Sequence, residues 1–259
     1  MATILKVMVF FVGWVIVASV VSIPGSTPET WRFFAELIPL SVLAAFTIAF
    51  LSIEKNRITI PIFGMARHGT LVGIVAGIVW IGISFGVLLL MQQISISETN
   101  RVQMLWLWIA SAFVNVIMQE LLVRGYIYQL LKREFNLAVA VVTTTLLFTL
   151  MHGGAIEAGI LPVANVVTMS LFVTALYESE KTILAPIAAH SIWNIFGAII
   201  LGGVCLADDY PSICTLVPSS NMLLSGGALK VEASIVVLLV NIALPLFFYY
   251  RYRKQLASK

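Results

Sequence analysis

Long apolar runs separated by short polar interruptions make up almost the whole chain. Eight runs approach the ~20 residues an α-helix needs to cross the hydrocarbon core of a membrane. They lie at approximately 4–23, 34–53, 69–94, 104–131, 136–152, 160–177, 183–201 and 232–250, with 136–152 the shortest. The first follows only Lys6 and stays apolar well past the ~7–15 residues of a signal-peptide core, so it is expected to remain as a helix. No long soluble linker, low-complexity tract or internal repeat interrupts the pattern. The expected fold is all-α, a polytopic membrane bundle of about eight helices forming one integral domain over 1–259. The longest segment outside the runs is 202–231, with turn signals at Gly202-Gly203, Pro211, Pro218 and Gly226-Gly227.

Composition agrees with a membrane protein. Hydrophobic residues are 60% of the 259 and charged residues only 10%, with a mean hydropathy of +1.03. Soluble domains carry about 25% charged residues, and a chain this apolar cannot hide its side chains in a water-soluble core. Charge position then sets orientation. With the N-terminus inside, the inner segments hold Lys6, Lys55, Arg57, Arg67, Lys132, Arg133, Lys181, Arg251, Arg253, Lys254 and Lys259. The outer ones hold only Arg32, Arg101 and Lys230. Eight spans with both termini cytoplasmic fit this asymmetry, and an odd count would place the basic RYRK tail outside. Cys205 and Cys214 bracket an outer loop, where a disulfide and two free thiols are equally open. The bilayer is the expected environment, and no nucleic-acid partner is expected.

Glycines in the third run recur at four-residue spacing, Gly69, Gly73 and Gly77, then Gly82 and Gly86. Small residues so spaced let helix backbones approach closely. The stretch GISFG at 82–86 matches the nucleophile-elbow pattern. That chemistry needs a strained strand-to-helix turn, and Ser84 lies inside a continuous apolar helix, so packing is the better reading.

Polar residues inside the runs carry the chemistry. Of the twelve acidic residues only Glu120 lies deep in a run; the others fall in loops or near run ends. The two aspartates, Asp208 and Asp209, are adjacent in a loop, which excludes an aspartyl intramembrane protease. His68 sits in a basic loop, whereas His152 ends one run and His190 lies within another. Glu120 with Arg124, Phe148 with His152, and His190 with Asn194 are each four residues apart and share a helix face. Ser111, Asn115 and Gln119 continue the polar stripe ahead of Glu120. Intramembrane ionisable residues face a bundle interior and mark functional sites. Burial disfavours the charged form of a carboxylate and suits it to general-base work. Glu120 is thus the candidate to activate water, His152 to hold that water or shuttle its proton, and His190 with Asn194 to donate to an oxyanion. Arg124 compensates and orients Glu120.

At these residues the chain resembles the CPBP family, the CAAX-protease and bacteriocin-processing intramembrane proteases, also called the Abi family. The family's motifs E-E-x-x-x-R, F-x-x-x-H and H-x-x-x-N/D read here as QELLVR (119–124), FTLMH (148–152) and HSIWN (190–194). The motif-bearing core lies at about 104–201. The resemblance implies an all-helical membrane enzyme that hydrolyses a peptide bond in a membrane-embedded peptide or protein, and compactness with the family's distribution points to a bacterial cell membrane. It also admits a catalytically silent, peptide-binding role in bacteriocin self-immunity. There is no H-E-x-x-H and no G-x-G-D for other intramembrane protease classes. One departure stands out: Gln119 occupies the place of the family's first glutamate, usually assigned the general base, and an amide is not a base at neutral pH. Three explanations are open: Glu120 takes over, the chain binds without cutting, in which case Gln119→Glu is expected to create activity, or the glutamine is an introduced, inactivating substitution. No cofactor is favoured; zinc, if bound, would use Glu120, His152 and His190.

Overall fold

The computed structural model describes residues 2–55 and 57–257, so Lys259, one of the basic residues used for orientation, lies outside the described residues. In chain order the elements are α1 (Ala2–Val20), α2 (Pro28–Ile53), α3 (Ala66–Leu90), β1 (Ile94–Thr99), α4 (Leu105–Arg124), α5 (Tyr126–Glu134), α6 (Leu137–Met151), α7 (Gly153–Ala158), α8 (Ile160–Glu180), α9 (Leu184–Asn194), β2 (Cys214–Pro218), α10 (Met222–Ser225) and α11 (Ile235–Ala257). A π-helical turn, Ile195–Ile200, extends α9. Among the described residues, six helical segments are long and apolar enough to cross a membrane, Leu105–Glu134 counting as one. Two shorter apolar helices, Leu137–Met151 and Leu184–Ile200, accompany them. The fold is therefore a nearly all-α polytopic membrane bundle. Large apolar side chains such as Ile16, Val20, Leu71, Leu90, Leu146 and Leu239 are exposed, the surface expected of helices solvated by lipid tails.

The chain gathers into two compact units, one of residues 1–61 and 104–147, the other of 62–103 and 148–259, with the boundary falling inside α6. In the first unit α2 packs along α4, and α1 lies against α2 and α5. Its centre is aromatic. The Phe10 ring sits 4.9 Å from Tyr126 and 5.2 Å from Phe50, and Phe50 sits 5.2 Å from Tyr126. Two boundaries differ from the apolar pattern. Helix α2 begins at Pro28 rather than near 34, because proline suits the first helical position and the Thr27 N–H donates to Thr30 Oγ1 at 3.2 Å. The apolar run at 104–131 breaks at Gly125 into α4 and α5. A side chain there would put its Cβ 2.1 Å from the Leu121 carbonyl oxygen, so the break depends on glycine.

In the second unit α8 packs along α11 and α3 along α9. Gly73 and Gly77 meet α9 backbone, each leaving no room for a methyl group: a Cβ at Gly73 would lie 2.2 Å from Ala185 O, and one at Gly77 3.0 Å from Ala189 Cα. Gly69 abuts the Thr182 side chain. Gly82 and Gly86 face open space, so the close-packing expectation holds for the first three glycines and fails for the last two. Ser84 is buried within α3, away from any strand-to-helix turn. The segment read as an irregular loop contributes β2, which pairs antiparallel with β1 across an irregularity between Ile96 and Glu98. Cys205 and Cys214 are free thiols.

A buried polar chain ties the second unit together. The Trp80 and Trp193 indoles stack at 4.0 Å. Trp80 Nε1 donates to Asn241 Oδ1 at 2.7 Å, and Asn241 Nδ2 donates to Asn165 O at 3.2 Å. Asn165 Nδ2 in turn donates to the backbone oxygens of Glu232 and Ser234, at 2.8 and 3.2 Å. Helices α3, α8 and α11 and the approach to α11 are thereby cross-linked at groups that water cannot reach, where an unmade hydrogen bond is costly.

Candidate active site

The candidate residues divide between the two units. In the first, Glu120 and Arg124 lie one turn apart on α4, both fully buried, with Arg124 Nη1 donating to Glu120 Oε2 at 2.8 Å. The i,i+4 spacing places the two heads side by side, and each charge would be prohibitively expensive there without the other. Gln119 sits on the adjoining face, its Nε2 donating to Asn115 Oδ1 at 2.7 Å. Asn115 Nδ2 donates to Glu36 Oε2 on α2, also at 2.7 Å. Ser111 does not join this line, since its hydroxyl donates to the Leu107 carbonyl within its own helix at 2.7 Å.

Glu36 corrects the acidic inventory. With α2 starting at Pro28, this residue stands more than two turns into the helix and is buried, so Glu120 is not the sole carboxylate inside a span. Only its polar partners distinguish Glu36 from a carboxylate at a span end, and those partners are not visible along one helix.

In the second unit the two motif histidines come together. The Phe148 ring lies 4.4 Å from the His152 ring and 6.1 Å from the His190 ring, the latter in an edge-on arrangement. His152 follows the last residue of α6, and its Nδ1 lies 2.7 Å from the Phe148 carbonyl oxygen. A carbonyl only accepts, so Nδ1 carries the hydrogen, and in the neutral ring Nε2 carries the lone pair. His190 and Asn194 are both buried near the end of α9. The π-helical turn begins directly after Asn194, a backbone irregularity often found at functional sites. Among the described residues, no group of three His, Cys, Asp or Glu could hold a metal ion.

Two further carboxylates lie outside the spanning helices. Glu54 caps α2 and accepts from Lys6 Nζ at 2.5 Å and from Tyr126 Oη at 3.1 Å. The Lys6 hydrogen bond holds its carboxyl below the usual range, against an opposing effect of burial. Glu232 precedes α11 and accepts from the Cys205 N–H at 2.9 Å. Burial pushes its carboxyl up to about 6, partly opposed by that N–H, by the nearby Trp193 indole and by Lys230. The indole N–H itself makes no hydrogen bond of ordinary geometry. Nothing in LKVEAS marks Glu232 as half-buried, because its enclosure comes from residues distant in sequence.

A family model described as type II CAAX prenyl endopeptidase Rce1-like matches residues 101–196, the segment that carries all three motifs. Comparison with curated proteins and with solved structures found no match to either.

Proposed function

We propose, from the match of residues 101–196 to the type II CAAX prenyl endopeptidase Rce1-like model, that the protein is an intramembrane endopeptidase that hydrolyses a peptide bond in a membrane-presented peptide or protein. One observation carries the reading: His152 and His190, from separate helices and separate motifs, meet at the ring of Phe148. Motif residues with no shared task have no reason to converge in an otherwise apolar bundle. The proposal assigns the carboxylate's role to Glu120, which is buried and paired with Arg124.

In this reading Glu120, oriented by Arg124, takes a proton from water as that water attacks the scissile carbonyl. His152 offers Nε2 to the same water or passes its proton to the leaving amine, and the Phe148 carbonyl sets the ring's tautomer. His190 and the amide of Asn194 donate to the oxyanion. The chemistry needs no metal. Zinc on Glu120, His152 and His190 is the alternative, and activity that survives chelation in metal-free purified protein decides against it. A prenylated CAAX peptide is the first substrate to try, given the family's description. The proposal includes a bacterial cell membrane with both termini in the cytoplasm, a reading supported by the basic residues of the inner segments.

Glu120→Ala and His152→Ala are each expected to lower cleavage by about 10²–10⁴-fold, the usual contribution of a positioned acid or base; Glu120→Gln, which keeps an acceptor for Arg124, is expected to lose cleavage equally while the protein stays folded. Wild-type proteolysis by Glu120→Ala would remove the assignment. Gln119 favours a second reading, a silent peptide-binding protein of the bacteriocin self-immunity kind. The unaltered chain would then bind peptide and release it uncut.

A further inference from the structure

Arg32, Glu36, Asn115 and Gln119 meet in an order that chemistry allows in one direction only. The Glu36 carboxylate accepts at both oxygens, from Arg32 Nη1 at 3.2 Å and from Asn115 Nδ2 at 2.7 Å. An ionised carboxylate cannot donate, so Asn115 must turn its NH₂ towards Glu36 and its oxygen the other way. Gln119 Nε2 donates to that oxygen. A primary amide has one donor end and one acceptor end, and Gln119 Oε1 is left buried with no hydrogen-bond partner. Which end of a side-chain amide is oxygen is settled by the network around it. Here the charge on Glu36 settles it twice in succession.

We infer that Glu36, Asn115 and Gln119 form a one-way hydrogen-bond relay that holds the Gln119 amide with its carbonyl oxygen presented to an N–H or O–H donor, the chemistry of a substrate peptide group or of a water. Gln119 is then a positioning residue. It supplies the acceptor of the glutamate in the family motif but cannot take a proton. Only the identity of the donor rests on the endopeptidase reading; the wiring does not.

The relay changes what Gln119→Glu does. With carboxylates at both 36 and 119, the single amide of Asn115 has one NH₂ to share between them. Whichever way it turns, its oxygen faces a carboxylate oxygen. Relief requires a proton on one carboxylate, so Q119E alone does not yield a free base. E36Q reverses every joint without conflict: the introduced amide still offers an oxygen to Arg32 and now donates to Asn115, whose NH₂ turns towards position 119. In that background a carboxylate at 119 is accommodated in its ionised form.

The test uses the full chain in lipid nanodiscs as wild type, E36Q, Q119E and the double variant E36Q/Q119E. Thermal unfolding and the infrared band of protonated carboxyl groups are read at neutral pH without substrate. Q119E is expected to melt about 5 °C lower and to show a protonated-carboxyl band. The double variant is expected to regain the lost temperature and lose the band. Additive losses in the double variant, or wild-type behaviour of Q119E, would overturn the relay. Should Q119E fail to fold, recovery of folding in the double variant supports the relay, and its failure there counts against it. Because no cleavage is measured, these outcomes stand apart from those that bear on the protease reading. A prenylated CAAX peptide then separates the two donors. Methylation of its scissile-bond neighbour N–H raises the Kd of the peptide for wild type if the donor is a peptide group, and leaves Kd unchanged if it is water.

Discussion

Arg124 is a cation with no exposed surface, and its Glu120 partner one turn back is buried as completely. Removing one member of such a pair strands the other charge, a loss of about 3–5 kcal/mol. Arg124→Leu is therefore expected to cost that much in a denaturation titration of the full chain in detergent. A loss below about 1 kcal/mol would mean that water reaches Glu120. Glu232 makes a different prediction. Its carboxyl is raised from 4.5 to about 6 in the fold, so between those values the folded chain binds more protons than the unfolded one. Its contribution is fully present below pH 4.5 and is lost as pH rises through 6. Glu232→Gln should remove that falling limb from the stability profile, and an unchanged limb would place the titration elsewhere. At this scale the sequence was informative where chemistry is rare. Glu120, His152 and His190 stand out because ionisable groups inside apolar runs are few. Glu36 and Glu232 escaped notice because their hydrogen-bond partners, Asn115 and Cys205, lie 79 and 27 residues away in sequence.

Helix α3 shows how much of an element periodicity can reveal. Four-residue glycine spacing marks a face, but the partner decides which glycines are needed. Gly73→Ala drives a methyl group into the Ala185 carbonyl and is expected to destabilise the α3–α9 contact, whereas Gly82→Ala meets open space and should melt at or slightly above wild type. Equal effects at the two positions would contradict the packing described. The helical character of the apolar runs was legible, since each falls on helix among the described residues, but six of these segments, not eight, are long and apolar enough to cross a membrane. Their ends were not legible. Pro28 and Thr27 start α2 outside its apolar window, and Gly125 divides α4 from α5 through a steric requirement at Leu121 O. The β1–β2 ribbon was also hidden, because ISISET and CTLVP are short and pair across more than a hundred residues.

Across the whole molecule, the three motifs fall in two compact units: Glu120 and Arg124 in the first, and Phe148, His152, His190 and Asn194 in the second. Motif order and spacing carry the family resemblance, and the Rce1-like match over 101–196 agrees with it. What spacing could not convey is the wiring of Gln119 through Asn115 to Glu36, which lies on a different helix. The central claim, that this chain cuts peptide bonds with Glu120, is most directly tested by mass spectrometry of a prenylated CAAX peptide incubated with the nanodisc-embedded wild type and with Glu120→Ala. The account predicts a shortened product from the wild type and its loss by about 10²–10⁴-fold in the variant. Equal product from both proteins would contradict it.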